Sequence, residues 1–230
     1  MHQRWEELLF LHWEVEPETI QATLPPGLHV DTWKDAAFLG VVPFFMRGVR
    51  PAWFPPVPGI SNFLELNVRT YVHDEEGTPG VWFYSLDANQ PLAVITARAL
   101  FHLNYVHARM ATCYDAEGYL HYTSQRRDGT ADCEFVYRAG RELGTAEPGS
   151  LEFFLAERYR LFCVRDDRLL VGAVHHRPYP LVEPEVKKWN EQLLPANGFE
   201  AVGRAPDHRL MSPGVEVEVF GLEKAGAVRA

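Results

Sequence analysis

A β-rich α+β fold, with an antiparallel sheet closed or nearly closed into a barrel and a few short helices, is what this sequence predicts, and three observations carry the prediction. About ten stretches are extended in pattern and only three short ones are helical, the proportion of a closed sheet rather than a layered α/β fold. Turn signals punctuate the strands, among them Asp115 to Gly118, Arg127 to Thr130 and the pair Asp166 and Asp167. Finally, 47% hydrophobic and 13% aromatic residues in 230 positions suffice for a packed core. No internal repeat and no shift in composition breaks the chain, so residues 1–230 read as one domain.

From the N-terminus, Pro17 followed by Glu18 to Leu24 predicts a short helix, with proline in its first turn and Pro25, Pro26 and Gly27 stopping it. His29 to Met46 reads as extended, and Ala36 to Met46 within it as a buried strand pair. Pro51, Pro55, Pro56 and Pro58 make a rigid loop whose Trp53 and Phe54 are expected to fold down as a cover over one end of the sheet. Three strands are read within Phe63 to Tyr105. Ala108 to Tyr114 and Tyr119 to Arg126 form a hairpin, Ala131 to Ala139 is another strand, and Gly140 to Ser150 is a loop. Ser150 caps a helix over Leu151 to Glu157. Tyr159 to Arg165 and Arg168 to His176 pair as a hairpin, Pro184 opens an amphipathic helix with Val186, Trp189 and Leu193 on one face, and Val215 to Phe220 is the last strand.

The region from Phe63 to Tyr105 carries the candidate site. Glu65, Asn67, Arg69 and Tyr71 alternate with Leu64, Leu66, Val68 and Thr70, a polar face opposite an apolar one. In the next strand the same period sets Phe83, Ser85 and Asp87 against Trp82, Tyr84 and Leu86. In the third it sets Thr96, Arg98, Leu100 and His102 against Ile95, Ala97, Ala99 and Phe101. Isolated buried charge costs several kcal/mol, so these groups are expected to pair with one another or to await a ligand. The ligand reading is motivated by the buried-looking Arg69 and Arg98: Arg98 grips an anionic oxygen, Glu65 or Asp87 is a base or holds an arginine, and Tyr105 or His102 donates a proton. A small acidic or oxo-acid molecule is the expected partner. On the rival reading, Glu65, Arg69, Asp87 and Arg98 are an internal ion-pair network that fixes strand register in a non-catalytic protein. A third reading places function on the surface, in a homo-oligomer or a partner-binding module that uses the aromatic loop Pro51 to Ile60.

Several function classes are disfavoured. A net charge of −9 without a basic cluster argues against nucleic acid. The longest apolar run, Ala36 to Met46, is far short of the roughly 20 residues that span a bilayer, and the acidic N-terminal region does not resemble a signal peptide. Membrane association is not expected, and a cytoplasmic setting is. Cys113, Cys133 and Cys163 are too dispersed for a disulfide framework or a zinc set, and no carboxylate completes a metal site with His102 and His107, so neither a metal nor another cofactor is expected. GxSxG, GxGxxG and P-loop motifs are missing.

Taken together, ELNVRTYV, GVWFYSLDA, AR-x-x-F-x-L-x-Y-x-x-A-x-M from Ala97 to Met110, Y-x-S-x-R from Tyr122 to Arg126, and FLAERYRLF resemble the YqjF-like family of uncharacterised bacterial proteins, over nearly the whole chain. That family is similar in turn to acetoacetate decarboxylase, and the resemblance implies its cone-like antiparallel barrel. The decarboxylase carries a Schiff-base lysine in a Gly-Arg-Glu-x-x-Gly-Tyr-Pro-Lys-Lys type of segment. Arg98 matches the motif arginine here, but Tyr105 and Val106 stand where the lysines would be, and Asn104 replaces the proline. Neither a phenol nor an isopropyl group forms an imine, so the resemblance supports a pocket and not that chemistry. Lys187 and Lys188 are expected on the solvent side of the Pro184 helix, with no catalytic role.

Overall fold

The computed structural model describes residues 1–92, 94–95 and 102–225. Its sheet contains β1 (His2–Val15), β2 (Leu28–Val30), β3 (Ala37–Arg50), β4 (Phe63–Asp74), β5 (Pro79–Ala88), β6 (Tyr105–Tyr114), β7 (Leu120–Arg126), β8 (Asp132–Gly144), β9 (Arg160–Arg165), β10 (Arg168–His176), β11 (Leu181–Lys188) and β12 (His208–Lys224). The helices α1 (Pro17–Gln21), α2 (Leu151–Ala156) and α3 (Leu193–Ala196) are short. Ser150 caps α2 as expected, its Oγ accepting from the Phe153 amide at 3.1 Å.

β5 and β12 each have three partners: β4, β6 and β9 for one, β1, β10 and β11 for the other. The sheet therefore branches into two rings that share the wall β12-β1-β3-β4-β5. A larger ring closes through β6, β7, β8 and β11, and a smaller one through β9 and β10. Pairing is antiparallel except where β5 meets β6 and β9, which run parallel to it. The result is a closed, uneven barrel rather than a regular cylinder.

Two cores fill the two rings. Phe10, Val42, Phe44, Tyr71 and Leu161 pack inside the smaller one, and Leu11, Val41, Leu66, Tyr122 and Phe135 inside the larger. Within the shared wall, the middle of β1 and most of β3 and β4 are thus buried on both faces, which is why they have long stretches without a solvent-facing residue and why alternation between core and water is weak in them, whereas β12 exposes alternate residues from Glu216 to Phe220.

Several expectations are corrected. Ala36 to Met46 is not a strand pair: β3 runs unbroken from Ala37 to Arg50 between β1 and β4. The Pro184 helix is also absent, because Val182, Pro184 and Val186 face inward from β11 while Glu183, Glu185 and Lys187 are exposed. A proline can open a helix or sit at a strand irregularity; here the register shifts on the N-terminal side of Pro184, which accommodates its missing N–H. Val186, Trp189 and Leu193 still pack on the larger core, delivered by a strand, a loop and α3. β8 continues through Gly144, where a loop was expected, and Gly140 lies so close to β11 that a Cβ there would sit 2.5 Å from the Glu183 carbonyl oxygen. Trp53 and Phe54 form no cover: they are exposed, Trp53 by 82%, and pack edge to face on each other. Pro91, Leu92, Val94 and Ile95 are helical rather than extended, and the rest of the third expected strand, up to residue 101, lies almost wholly outside the described residues.

Candidate functional site

The smaller ring encloses a cavity of about 160 Å³ whose polar lining includes Gln3, Glu65, Arg69, Tyr105, Arg158 and Arg160. Glu65 and Arg69 come from the predicted polar stripe of β4. They are four residues apart in a strand, about 13 Å between Cα atoms, and make no ion pair with each other.

Arg69 is 8% exposed. Its Nη2 donates to the Leu155 carbonyl at 3.1 Å and to the Tyr71 hydroxyl at 3.3 Å, and its Nε has no hydrogen-bond partner among the described residues. The guanidinium lies 5.3 Å from the Phe10 ring centroid. No described carboxylate pairs with it. Gly40 lies opposite on β3 and makes room for it: a Cβ there would come within 3.3 Å of Arg69 Cγ and His12 Cδ2.

Tyr71 organises the groups behind Arg69. Its single hydroxyl proton goes to the Leu155 carbonyl at 2.8 Å, so its oxygen accepts both from Arg69 and from His12 Nε2, 2.7 Å away. His12 is fully buried. Burial, with His208 and Arg69 nearby, holds its imidazole well below the usual histidine range and therefore neutral, which leaves Nδ1 as an unpartnered lone pair. The α2 carbonyl of Leu155 meets the positive charge, as the C-terminal end of a helix does.

Glu65 is 3% exposed and accepts a hydrogen bond from the Tyr105 hydroxyl at 2.8 Å. Burial pushes its carboxyl up to about 7, although hydrogen bonds from Tyr105 and Asn67 pull the other way. The Tyr105 phenol is raised well above its usual range by burial and by that carboxylate. Asn104 fixes the start of β6: its side chain donates to the Tyr84 carbonyl at 2.6 Å, and its own carbonyl accepts from the Leu86 amide at 2.9 Å.

The remaining candidates divide. Asp87 does not reach the cavity. β5 carries a bulge where Val68 pairs with Ser85 and Arg69 with Phe83, so Phe83 and Leu86 line the cavity while Tyr84, Ser85 and Asp87 turn to the larger ring. There Arg126 grips Asp87 with Nε and Nη2, both at 2.8 Å, and Nη2 also donates to Ser85 Oγ at 2.6 Å. Burial raises the Asp87 carboxyl, and Arg126 opposes the shift. Arg98 lies outside the described residues. His102 is half-buried with φ of 51° and is not among the described residues lining the cavity.

His12, Tyr71 and Arg126 escaped the sequence reading as site residues. His12 offered a signal, a lone polar residue inside the apolar run Leu8 to Trp13, and Arg126 closes the Y-x-S-x-R motif. Among the described residues no cluster has the makings of a metal site, and no described helix is long and apolar enough to cross a membrane.

Comparison with known proteins sets this geometry in a family. The uncharacterized protein YqjF of Bacillus subtilis (strain 168) is 36% identical over 199 residues, 86% of this chain and 82% of its own length. Among solved structures, an acetoacetate decarboxylase-like enzyme from Sphingomonas wittichii RW1 superposes with a TM-score of 0.65 at 11% identity, covering 99% of this chain and 93% of the other. The enduracididine biosynthesis enzyme MppR, solved with pyruvate, does so at 0.62 and 14% identity, with 97% and 89% covered. At such low identity these two structures establish the fold and nothing of the chemistry. The family model for uncharacterized conserved proteins designated DUF2071 matches residues 2–216, and this chain belongs to the DUF2071 family.

Proposed function

We propose that this protein binds a small carboxylic or oxo acid in the cavity of the smaller ring, its carboxylate held by Arg69, without Schiff-base chemistry. The observation that carries the reading is Arg69 itself: a buried guanidinium facing a cavity, with no carboxylate partner among the described residues. Such a charge is costly unless compensated, and a ligand carboxylate compensates it through the planar fork of the guanidinium. The Tyr71 and Leu155 oxygens orient that fork without neutralising it. MppR, of the same fold, has been solved with pyruvate, an acid of the expected class.

Ligand-induced stabilisation tests the binding directly. Pyruvate or acetoacetate at a hundred times its Kd should stabilise the folded protein by about 2.7 kcal/mol, read as a rise in Tm. Arg69→Gln should lose that rise. If no small carboxylate stabilises the wild type, the proposal fails.

The absence of imine chemistry has its own test. The four lysines, Lys34, Lys187, Lys188 and Lys224, are all described, all exposed and all outside the cavity lining. Lys187 and Lys188 instead pair with Glu117 and Glu134 on the outer surface. A solvated lysine is almost wholly protonated at neutral pH and a poor nucleophile. Borohydride reduction in the presence of acetoacetate, followed by intact-mass and peptide spectrometry, is expected to show no lysine adduct; an adduct on any lysine would restore the decarboxylase mechanism.

A further inference from the structure

The cavity holds a second group, besides Arg69, that no described residue of opposite charge compensates. Glu65 is almost fully buried, faces the same space, and has no described lysine, arginine or histidine in ion-pair contact. The groups around it are identifiable from each neighbouring element. Tyr105 on β6 donates to the carboxyl, and Asn67 on β4 hydrogen-bonds to it. Tyr122 on β7 donates to the Glu65 backbone carbonyl at 2.7 Å, and Asp87 on β5 acts on the carboxyl from a distance as a like charge. Phe44 on β3 and Ala88 on β5, its pairing partners, are apolar. Burial and the like charge of Asp87 favour a neutral carboxyl and outweigh the opposing hydrogen bonds from Tyr105 and Asn67, and a neutral carboxyl has an O–H to give.

Arg69 and Glu65 therefore present two different demands at the two ends of one stripe, an anion at one end and a hydrogen-bond acceptor at the other. Because Tyr105 and Asn67 already turn donors toward the carboxyl, an acceptor on the ligand is the natural recipient of the Glu65 proton. We propose that Glu65 makes the cavity selective for oxo acids over plain carboxylic acids by donating its own proton to the ligand's oxo oxygen, so that each oxo acid enters together with one proton. This rests on the reading that Arg69 holds a carboxylate, and names which acids the site prefers.

The proton balance is simple. In the free protein above neutral pH, Glu65 is largely ionised, since its carboxyl titrates at about 7. An oxo acid bound as its anion brings no proton, so the one on Glu65 comes from solvent. A carboxylic acid without an oxo group gives Glu65 no acceptor, and its binding takes up less.

Isothermal titration calorimetry at pH 8 in phosphate and in Tris, whose ionisation enthalpies differ, reads this directly. Pyruvate and acetoacetate are the probes, butanoate the acid without an oxo group, and Arg69→Gln the control for the carboxylate contact. Wild type is expected to take up close to one proton per oxo acid and markedly less per butanoate, and its affinity for oxo acids should weaken toward tenfold per pH unit between pH 7 and 9. Glu65→Gln, which keeps an N–H donor but cannot titrate, should bind pyruvate with no proton uptake and with a pH-independent affinity, tighter than wild type at pH 9. Pyruvate binding that depends on Arg69 but is flat with pH in the wild type would overturn this inference and leave the carboxylate site standing. A failure of wild type to bind any of the three acids would overturn both. A folded Glu65→Gln that binds no pyruvate would also refute proton donation as the role of this residue, because its amide can still donate.

Discussion

Replacing Arg126 by methionine is expected to cost about 3–5 kcal/mol of stability, the usual effect of removing one partner from a buried ion pair. Asp87 is 0% exposed, and both its oxygens are held by Arg126. Methionine fills the space but supplies no donor, so the carboxylate must either stay ionised in an apolar core or take up a proton. Ser85 loses its partner Nη2 as well, although Asn197 Nδ2, at 3.0 Å from the same oxygen, remains. Urea melts at neutral pH measure the loss. The paired change Arg126→Met with Asp87→Leu should recover most of it, because an apolar pair of similar volume avoids the stranded charge. A single-variant loss below about 1 kcal/mol would show that the pair is not the closed, dry contact described here. Since Asp87 and Arg126 lie in the larger ring, the double variant should also keep the stabilisation by oxo acids, which separates the buried pair from the ligand cavity.

Glu65→Gln is expected to act in the opposite direction and chiefly at higher pH. The folded carboxyl titrates at about 7, against an ordinary value of 4.5, so between these limits the folded state binds more protons than the unfolded state. Stability in the wild type therefore falls as pH rises from about 4.5 to about 7, and the full cost, about 3 kcal/mol for a shift of this size, is present at pH 8. Glutamine has no proton to lose. The variant should exceed the wild type by no more than about 1 kcal/mol near pH 5 and by about 3 kcal/mol at pH 8, as measured by urea denaturation at both values. A difference between the two proteins that does not change with pH would mean that Glu65 is not the titrating group. Gain of stability on removing a charged group from a cavity is the pattern of a binding site, where function is maintained against the interest of the fold.

The polar stripe shows how much the sequence could convey. Glu65, Asn67, Arg69 and Tyr71 share a face because β4 is regular through them, and the two-residue period is enough to say so. One strand later the same rule failed, since the bulge opposite Val68 and Arg69 moves Phe83 to one side and Ser85 and Asp87 to the other. A bulge adds a residue without a characteristic side chain, so alternation read along one strand cannot detect it. β1 behaves likewise: Glu7, with φ of 53°, lies at its irregularity, so that Gln3 and Trp5 before it and Leu8 and Phe10 after it all face the smaller ring. The segment Val182 to Lys188 was ambiguous for a different reason, because proline followed by spaced apolar residues suits a helix start as well as an irregular edge of a strand.

By itself the sequence determined that the chain is rich in strands and that Glu65 and Arg69 share a face of one of them. These properties depend on residue identity and local period, which the chain carries in linear order. Only the tertiary structure decided that the stripe faces a cavity rather than solvent, that Asp87 belongs to Arg126 in the other ring, and that His12 and Tyr71 stand behind Arg69. Those outcomes depend on which distant strands close the sheet: β12 comes to rest beside β1, and β5 joins three partners. Pairings between residues far apart in the chain are settled by the total burial of two cores, and no local pattern contains that sum.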